Sequence, residues 1–177
     1  MVPTDKQVDA LWDKYRLPPQ KRVHMVRVAR VAIYIGKKVH ADLPLLRAAA
    51  LLHDIDKAVP KIPGERHPDG AVRILREEGM NEVADIVATH SLHAILDPNI
   101  SPGSLEQKIL YLADKMVRYD IVGVDKRFAL WNAEHLPPVE QTILDASYPK
   151  VKKLEQEVFN LARISLSDIL GVKERNL

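Results

Sequence analysis

The run LRAAALLHDIDK, residues 46–57, is the feature that most constrains how this chain can fold. Residues 48–52 are uniformly apolar and pass directly into His53 and Asp54, with Asp56 and Lys57 close behind. A stretch this short does not span a bilayer, which takes about 20 apolar residues, so it belongs in a buried helix. Burying charge is costly unless the charge is paired or coordinated. The fold must therefore bring the end of this run to the surface, or place interior partners for His53 and Asp54.

The rest of the chain supplies helices to bury it. Val8, Leu11, Trp12 and Tyr15 have helical spacing, and Pro18-Pro19 closes that segment. Val28, Val31, Ala32, Ile35 and Val39 share one face of a helix over residues 23–39. Asp42 is placed to cap the helix that runs toward His53, with Pro44 just inside it. After a loop containing Pro60, Pro63 and Gly64, a helix is expected from near Pro68 to Gly79, and another from an Asn81 cap to about His90. Residues 92–103 read as a loop, and Ser104 opens a helix through Met116. Residues 121–125 are β-branched and can be extended, but are too few to found a sheet. A final helical region spans about residues 139–170, with Pro149 as a break or kink. The expected class is all-α, with about seven to nine helices.

A length of 177 residues suits a single domain with a substantial core. The absence of cysteine removes disulfides, thiolate metal sites and cysteine nucleophiles together. The polar, early-charged first residues do not resemble a secretory signal, and no membrane partner is expected, which leaves the cytoplasm as the default compartment. The net charge is +2, with Lys and Arg interleaved among Asp and Glu rather than gathered into a basic stripe. Nucleic acid is therefore not expected as the main partner. Clusters such as Lys21-Arg22 read as solvated helix faces. The stripe Val151, Leu154, Val158, Leu161 and Ile164 either packs on the core or pairs two copies as a homodimer.

Several polar residues fall on the inward side of these helices. His24 shares a face with Val28, Val31 and Ala32, and His53-Asp54 ends an apolar helix. His90 ends another, and Asp114 sits among Tyr111, Leu112, Ala113, Met116 and Val117. Any one of these alone is most simply a hydrogen-bonded core residue or a cap. Imidazoles and carboxylates recurring together are the nitrogen and oxygen donors of a divalent metal site without sulfur, and a metal would keep a buried Asp ionised.

The order His24, His53-Asp54, Asp114 resembles the H…HD…D signature of the HD-domain metal-dependent phosphohydrolases, an all-helical superfamily. The resemblance covers about residues 20–128, with residues 1–19 as an N-terminal helix packed on that core and residues 129–177 as a helical extension of the same domain. LLHDIDKAVP, HPDGAVRIL, ATH and LEQKILYLADK are similar in texture to the branch that includes symmetrical diadenosine-tetraphosphate hydrolases. That resemblance implies two divalent ions (iron, manganese, nickel, cobalt or zinc). His24, His53, Asp54 and Asp114 would hold one, and Asp54, His67 and His90 the other, with Asp54 bridging. The chain departs from the pattern at Asp56, where the family often has Gly or Ala and a side chain can point to solvent. It departs again at Ser91-Leu92-His93, where the branch tends to have threonine and glycine. His93, three residues after His90, is a rival ligand.

The implied reaction is in-line attack of a metal-bound hydroxide on a phosphate ester or anhydride of a nucleotide, such as a dinucleoside polyphosphate. Asp54 and Lys57 are the catalytic candidates. Lys57, one turn beyond Asp54, would contact a phosphate oxygen. Arg118, four after Asp114, and Arg127, where the branch tends to carry an arginine, are further substrate-binding candidates. A mononuclear nucleotide phosphatase is the nearest alternative. A non-catalytic module that senses a nucleotide or scaffolds a complex is the alternative of another class.

Overall fold

The computed structural model describes residues 1–174. Among them it contains nine α-helices, short 3₁₀ segments and no strand. The helices are α1 (Asp5–Lys14), α2 (Pro19–Val39), α3 (Leu43–Leu52), α4 (Asp69–Glu77), α5 (Asn81–Val87), α6 (Leu105–Asp114), α7 (Val124–Asn132), α8 (Pro138–Ala162) and α9 (Leu166–Leu170). The 3₁₀ segments are Ile55–Ala58, Leu92–Leu96 and Gly171–Glu174. Residues 175–177, the end of the expected C-terminal extension, lie outside the described residues.

Local chemistry sets most of the helix boundaries. Thr4 and Ser104 each form a capping box with the glutamine three residues on, Gln7 and Gln107. The Asp42 carboxylate accepts from the Leu45 amide at 3.0 Å, as its cap position predicts. α2 begins at Pro19 rather than Val23, because a proline in the first turn gives up an N–H that had no partner there anyway.

Other boundaries correct the sequence expectation. Asn81 is the first residue of α5 rather than its cap, and no side chain caps that helix. Residues 92–96 form a 3₁₀ turn instead of an irregular loop. α6 stops at Asp114, short of Met116. Residues 121–125 found no sheet, as their length predicts, but they are only briefly extended: Ile121 makes one isolated bridge to Val117, and α7 starts at Val124 after Gly123 at φ +81°. The last region is two helices, because Arg163 adopts a left-handed conformation and Ser165 caps α9. Pro149 lies inside α8 without ending it. It sits on the exposed face, where water can serve the carbonyl its missing N–H would have met.

α2 packs against α3 and α6, and α5 against α3 and α4, so the core lies between these helices. Met25, Val28, Ile35, Leu46, Leu52, Val83, Val87, Ile109 and Leu112 are all fully buried there. Val151, Leu154 and Val158 bury the α8 stripe in the same core, while Leu161 points outward. No helix among the described residues is long and apolar enough to cross a membrane.

Candidate metal centre

Two helix ends repeat one local device. His53 follows α3 and its Nδ1–H donates back to the Ala50 carbonyl at 2.9 Å; His90 follows α5 and donates to the Val87 carbonyl at 2.6 Å. Each bond adds a side-chain donor to a carbonyl in the last turn of the helix. Each also assigns the tautomer, so that Nε2 carries the lone pair and points off the end of the helix. Trp12 Nε1 donates to the Leu51 carbonyl at 2.8 Å and pins the same end of α3. His24 reaches inward from the second turn of α2 and places Nδ1 3.4 Å from the Arg118 carbonyl.

These side chains meet in one cage. His24 Nε2 lies 3.1 Å and His53 Nε2 3.5 Å from the Asp114 Oδ1 atom. His67 Nε2 lies 2.8 Å from His90 Nε2, and these two nitrogens lie 3.6 and 3.9 Å from Asp54 Oδ1. The rings run in sequence, with centroids 5.4 Å apart for His24–His53, 4.9 Å for His53–His90 and 4.6 Å for His67–His90. Two ligand atoms each about 2.1 Å from one ion lie roughly 3.0–3.5 Å apart at tetrahedral or octahedral angles. Most of the separations above are close to that range.

The donor chemistry also fits a cation. Lone-pair-bearing nitrogens face a carboxylate oxygen or one another, and His53 Nε2 is buried with no hydrogen-bond partner. Donor atoms able to hold an ion converge in the sets His24-His53-Asp114, His53-Asp54-His90 and Asp54-Asp56-His67. The C-terminal ends of α3, α5 and α6 all point here, and the partial negative charge at a helix C-terminus favours a cation.

The protein's own cations already crowd the cage. Lys21 and Lys57 each place an ammonium 3.2 Å from one of the two Asp54 oxygens. Lys115, fully buried, donates to Asp114 Oδ2 at 2.7 Å and also to the His90 carbonyl. Burial works to raise the Asp54 carboxyl, but His53 and Lys57 outweigh it and hold it well below the usual carboxylate range. Asp114 is held low in the same way, by Lys115, His24 and His53 against burial. Burial pushes His90 far down, reinforced by His53 and His67, so it is a neutral donor at pH 7. His53 is pushed down by burial but ends above its ordinary value, because Asp54 and Asp114 more than offset that.

All six residues expected to hold metal (His24, His53, Asp54, His67, His90 and Asp114) thus lie together, and His90 rather than His93 joins them. His93 is in none of these donor sets, and its Nε2 lies 3.4 Å from Ser91 Oγ. The cage forms the floor of a cleft of about 820 Å³. Lys57, Arg118 and Arg127 line that cleft together with Lys21, Tyr119 and Trp131. Arg118 lies beyond the end of α6, where its guanidinium pairs with Glu134 at 2.6 Å. Arg127 stacks 3.6 Å over Trp131, with Nε and Nη1 buried and unpartnered. Burial lowers its pKa to about 10, which leaves it a cation at neutral pH.

Three residues were misread or missed from the sequence. Lys21 keeps 41% of its side chain exposed, as on a solvated face, but its ammonium also reaches Asp54, and the signal was available: it stands one turn before the inward His24. Lys115 follows Asp114 within an apolar run and is buried as completely as its neighbours. Asp56 does not point to solvent. Its side chain is only 7% exposed, because the 3₁₀ turn Ile55–Ala58 swings it inward against α4.

Over 184 aligned residues the chain is 30% identical to a tRNA (cytidine(56)-2'-O)-methyltransferase from Thermoplasma volcanium, with 97% of this chain and 49% of that protein covered. It is 34% identical to a Ribonuclease Y from Cutibacterium acnes over 77 residues, 42% of this chain and 14% of that protein. The chain thus spans about half the length of the first relative and far less of the second. No solved structure gives a significant match. The HD domain family matches residues 22–119, a segment that begins at Arg22 and contains all six cage residues. A cage built from His24, His53-Asp54 and Asp114, on helices within that span, makes this chain a member of the HD-domain metal-dependent phosphohydrolase superfamily.

Proposed function

We propose that the chain hydrolyses a phosphate ester or anhydride of a nucleotide, with two divalent ions held by the cage. The observation that carries this reading is the convergence of four imidazoles and two carboxylates beneath a cleft rimmed by Lys21, Lys57, Arg118 and Arg127. Nitrogen and oxygen donors below and fixed cations above suit an anionic substrate that bridges the two. The cleft volume is in the range of small-molecule sites.

His24, His53, Asp54 and Asp114 would hold one ion, and Asp54, His67 and His90 the other. Ions bound there would acidify a water as nucleophile and neutralise charge on the phosphoryl oxygens. Asp54 shares one donor set with His53 and His90 and another with His67, so it is the residue that would serve both ions. Lys57 reaches into the cleft from the 3₁₀ turn and can follow a phosphoryl oxygen as charge develops. Arg127 offers a cation whose Nε–H and Nη1–H groups meet no protein acceptor, and Trp131 stacks on the plane of its guanidinium.

The test is a hydrolysis screen of mono-, di- and dinucleoside polyphosphates with iron, manganese, nickel, cobalt and zinc, run beside Asp54→Ala. A short oligoribonucleotide belongs in the screen because one relative is a Ribonuclease Y. The expected result is metal-dependent phosphate release that falls by about 100-fold or more in the variant. Activity that survives Asp54→Ala overturns the site. A metal content near one ion per chain replaces the two-ion reading by the mononuclear phosphatase. Nucleotide binding without turnover under every metal replaces it by a sensing or scaffolding module.

A further inference from the structure

Three of the four cage histidines have Nδ1 directed at a main-chain carbonyl: His24 at Arg118, His53 at Ala50 and His90 at Val87. A carbonyl only accepts, so each ring carries a proton on Nδ1 and Nε2 is the nitrogen left for a cation. His67 has no such carbonyl. Its Nδ1 instead faces two side chains, Lys57 Nζ at 3.2 Å and Asp56 Oδ2 at 3.7 Å. These neighbours demand opposite tautomers. An ammonium only donates, so a bond from Lys57 requires the lone pair on Nδ1 and puts the proton on Nε2, the atom that faces Asp54 and His90. A carboxylate only accepts, so a bond to Asp56 puts the proton on Nδ1 and frees the Nε2 lone pair.

We propose that Asp56 is the positioning residue for His67: it accepts the Nδ1–H and so turns His67 into a donor toward the second ion. This rests on the two-ion reading above. Closing the contact from 3.7 Å to a charge-assisted bond of roughly 2.8 Å takes a small tilt of the ring. Lys57 then gives up His67 and keeps Asp54, 3.2 Å away, or turns to an incoming anion.

The surroundings of Asp56 fit this role better than a structural one. Its Oδ1 is buried with no hydrogen-bond partner, a state that an apolar side chain of similar size would avoid. Room for the carboxylate exists because residue 70 is glycine: a Cβ there would lie 3.0 Å from Asp56 Oδ2 and 3.1 Å from its Cβ. Gly70 belongs to the first turn of α4, so the positive end of that helix faces the carboxylate. The Asp56 carboxylate also falls in a donor set with Asp54 and His67, and the ring spectra described below separate ligation from positioning.

The test compares wild type, Asp56→Ala and Asp56→Asn. Zinc binding is measured by calorimetry and by elemental analysis after dialysis, and chelated samples are melted in parallel. The expected result is two ions in wild type, with the weaker site lost or 10- to 100-fold weaker in Asp56→Ala and the first site unchanged. Asp56→Asn, which keeps an accepting oxygen, recovers part of the loss. The chelated Asp56→Ala protein melts no lower than wild type, which separates positioning from folding. In zinc-loaded protein, histidine ring ¹⁵N spectra show His67 protonated at Nδ1 in wild type, and this signature weakens in Asp56→Ala. Unchanged two-site binding in Asp56→Ala overturns the inference and leaves the two-ion reading intact. A wild-type protein that binds a single ion overturns both. A His67 bare at Nδ1 in the zinc-loaded protein, with Asp56→Asn as impaired as Asp56→Ala, makes Asp56 a direct ligand and also overturns it.

Discussion

Replacing Lys115 with methionine removes the buried cation that holds Asp114. Lys115 is 1% exposed, its Nζ lies 2.7 Å from Asp114 Oδ2 and 4.3 Å from the centre of the Tyr111 ring, and it also donates to the His90 carbonyl. At an effective dielectric of about 20, two unit charges at this separation attract by about 6 kcal/mol. Part of that is returned, because burying the ammonium was itself expensive; burial lowers the Lys115 pKa even beside Asp114. Breaking a buried pair from one side costs about 3–5 kcal/mol net. For a domain of this size, that lowers Tm by roughly 8–15 °C.

A bound divalent ion changes this balance, because it gives the orphaned Asp114 a new cation. The metal-induced rise in Tm should therefore be several degrees larger in Lys115→Met than in wild type, and each tenfold gain in metal affinity adds about 1.4 kcal/mol at saturating ion. Calorimetric melts with chelator and with excess manganese measure both quantities. A chelated variant within about 2 °C of wild type refutes the buried-pair reasoning. Equal metal-induced shifts in the two proteins refute the claim that Lys115 and the ion serve the same carboxylate.

Arg127→Met should raise KM for a phosphate substrate by roughly 10- to 100-fold, the worth of one charged hydrogen-bonding contact, while leaving Tm unchanged or higher because two unpartnered buried N–H groups disappear. An unchanged KM removes Arg127 from the substrate site. Gly123→Ala combines a positive φ of +81° with a Cβ 2.6 Å from Leu166 Cδ1. It should cost about 1–3 kcal/mol in chemical denaturation without altering metal content. Glu78, hydrogen-bonded by Lys14 and Tyr15, has its carboxyl held below the ordinary 4.5 by those two groups. The folded state there binds fewer protons than the unfolded state, so the contribution of Glu78 is complete above that value and is lost as pH falls below it. Wild type should melt above Glu78→Gln at pH 7 and converge with it in acid, and a constant gap across the titration refutes the assignment.

The donors of the cage were legible because helical period is a strong signal and a polar residue on an apolar face breaks it visibly. His24, His53, His90 and Asp114 stand out in this way, and Asp42 and Ser104 mark helix starts by the chemistry of their side chains. His67 was reached only through the resemblance, since it lies in a loop where no period applies. What stayed hidden follows the same logic. Asp56 turns inward because residues 55–58 tighten into a 3₁₀ turn, which carries no apolar repeat of its own. Its accommodation depends on Gly70, fourteen positions away and contributed by α4. Lys21 was assigned to solvent because lysine on a helix is usually solvated, and although 41% of its side chain is exposed its ammonium meets a carboxylate supplied by the end of α3. Residues 121–125 carry β-branched side chains, but a strand needs a partner. With only Val117 opposite Ile121, the chain turns at Gly123 and buries Val124, Arg127 and Phe128 as a helix. Each of these misreadings concerns a residue whose environment is built by a segment distant in sequence. Local patterning located the donors, and only the packing of α2, α3, α4 and α6 shows which cations and which carboxylate attend them.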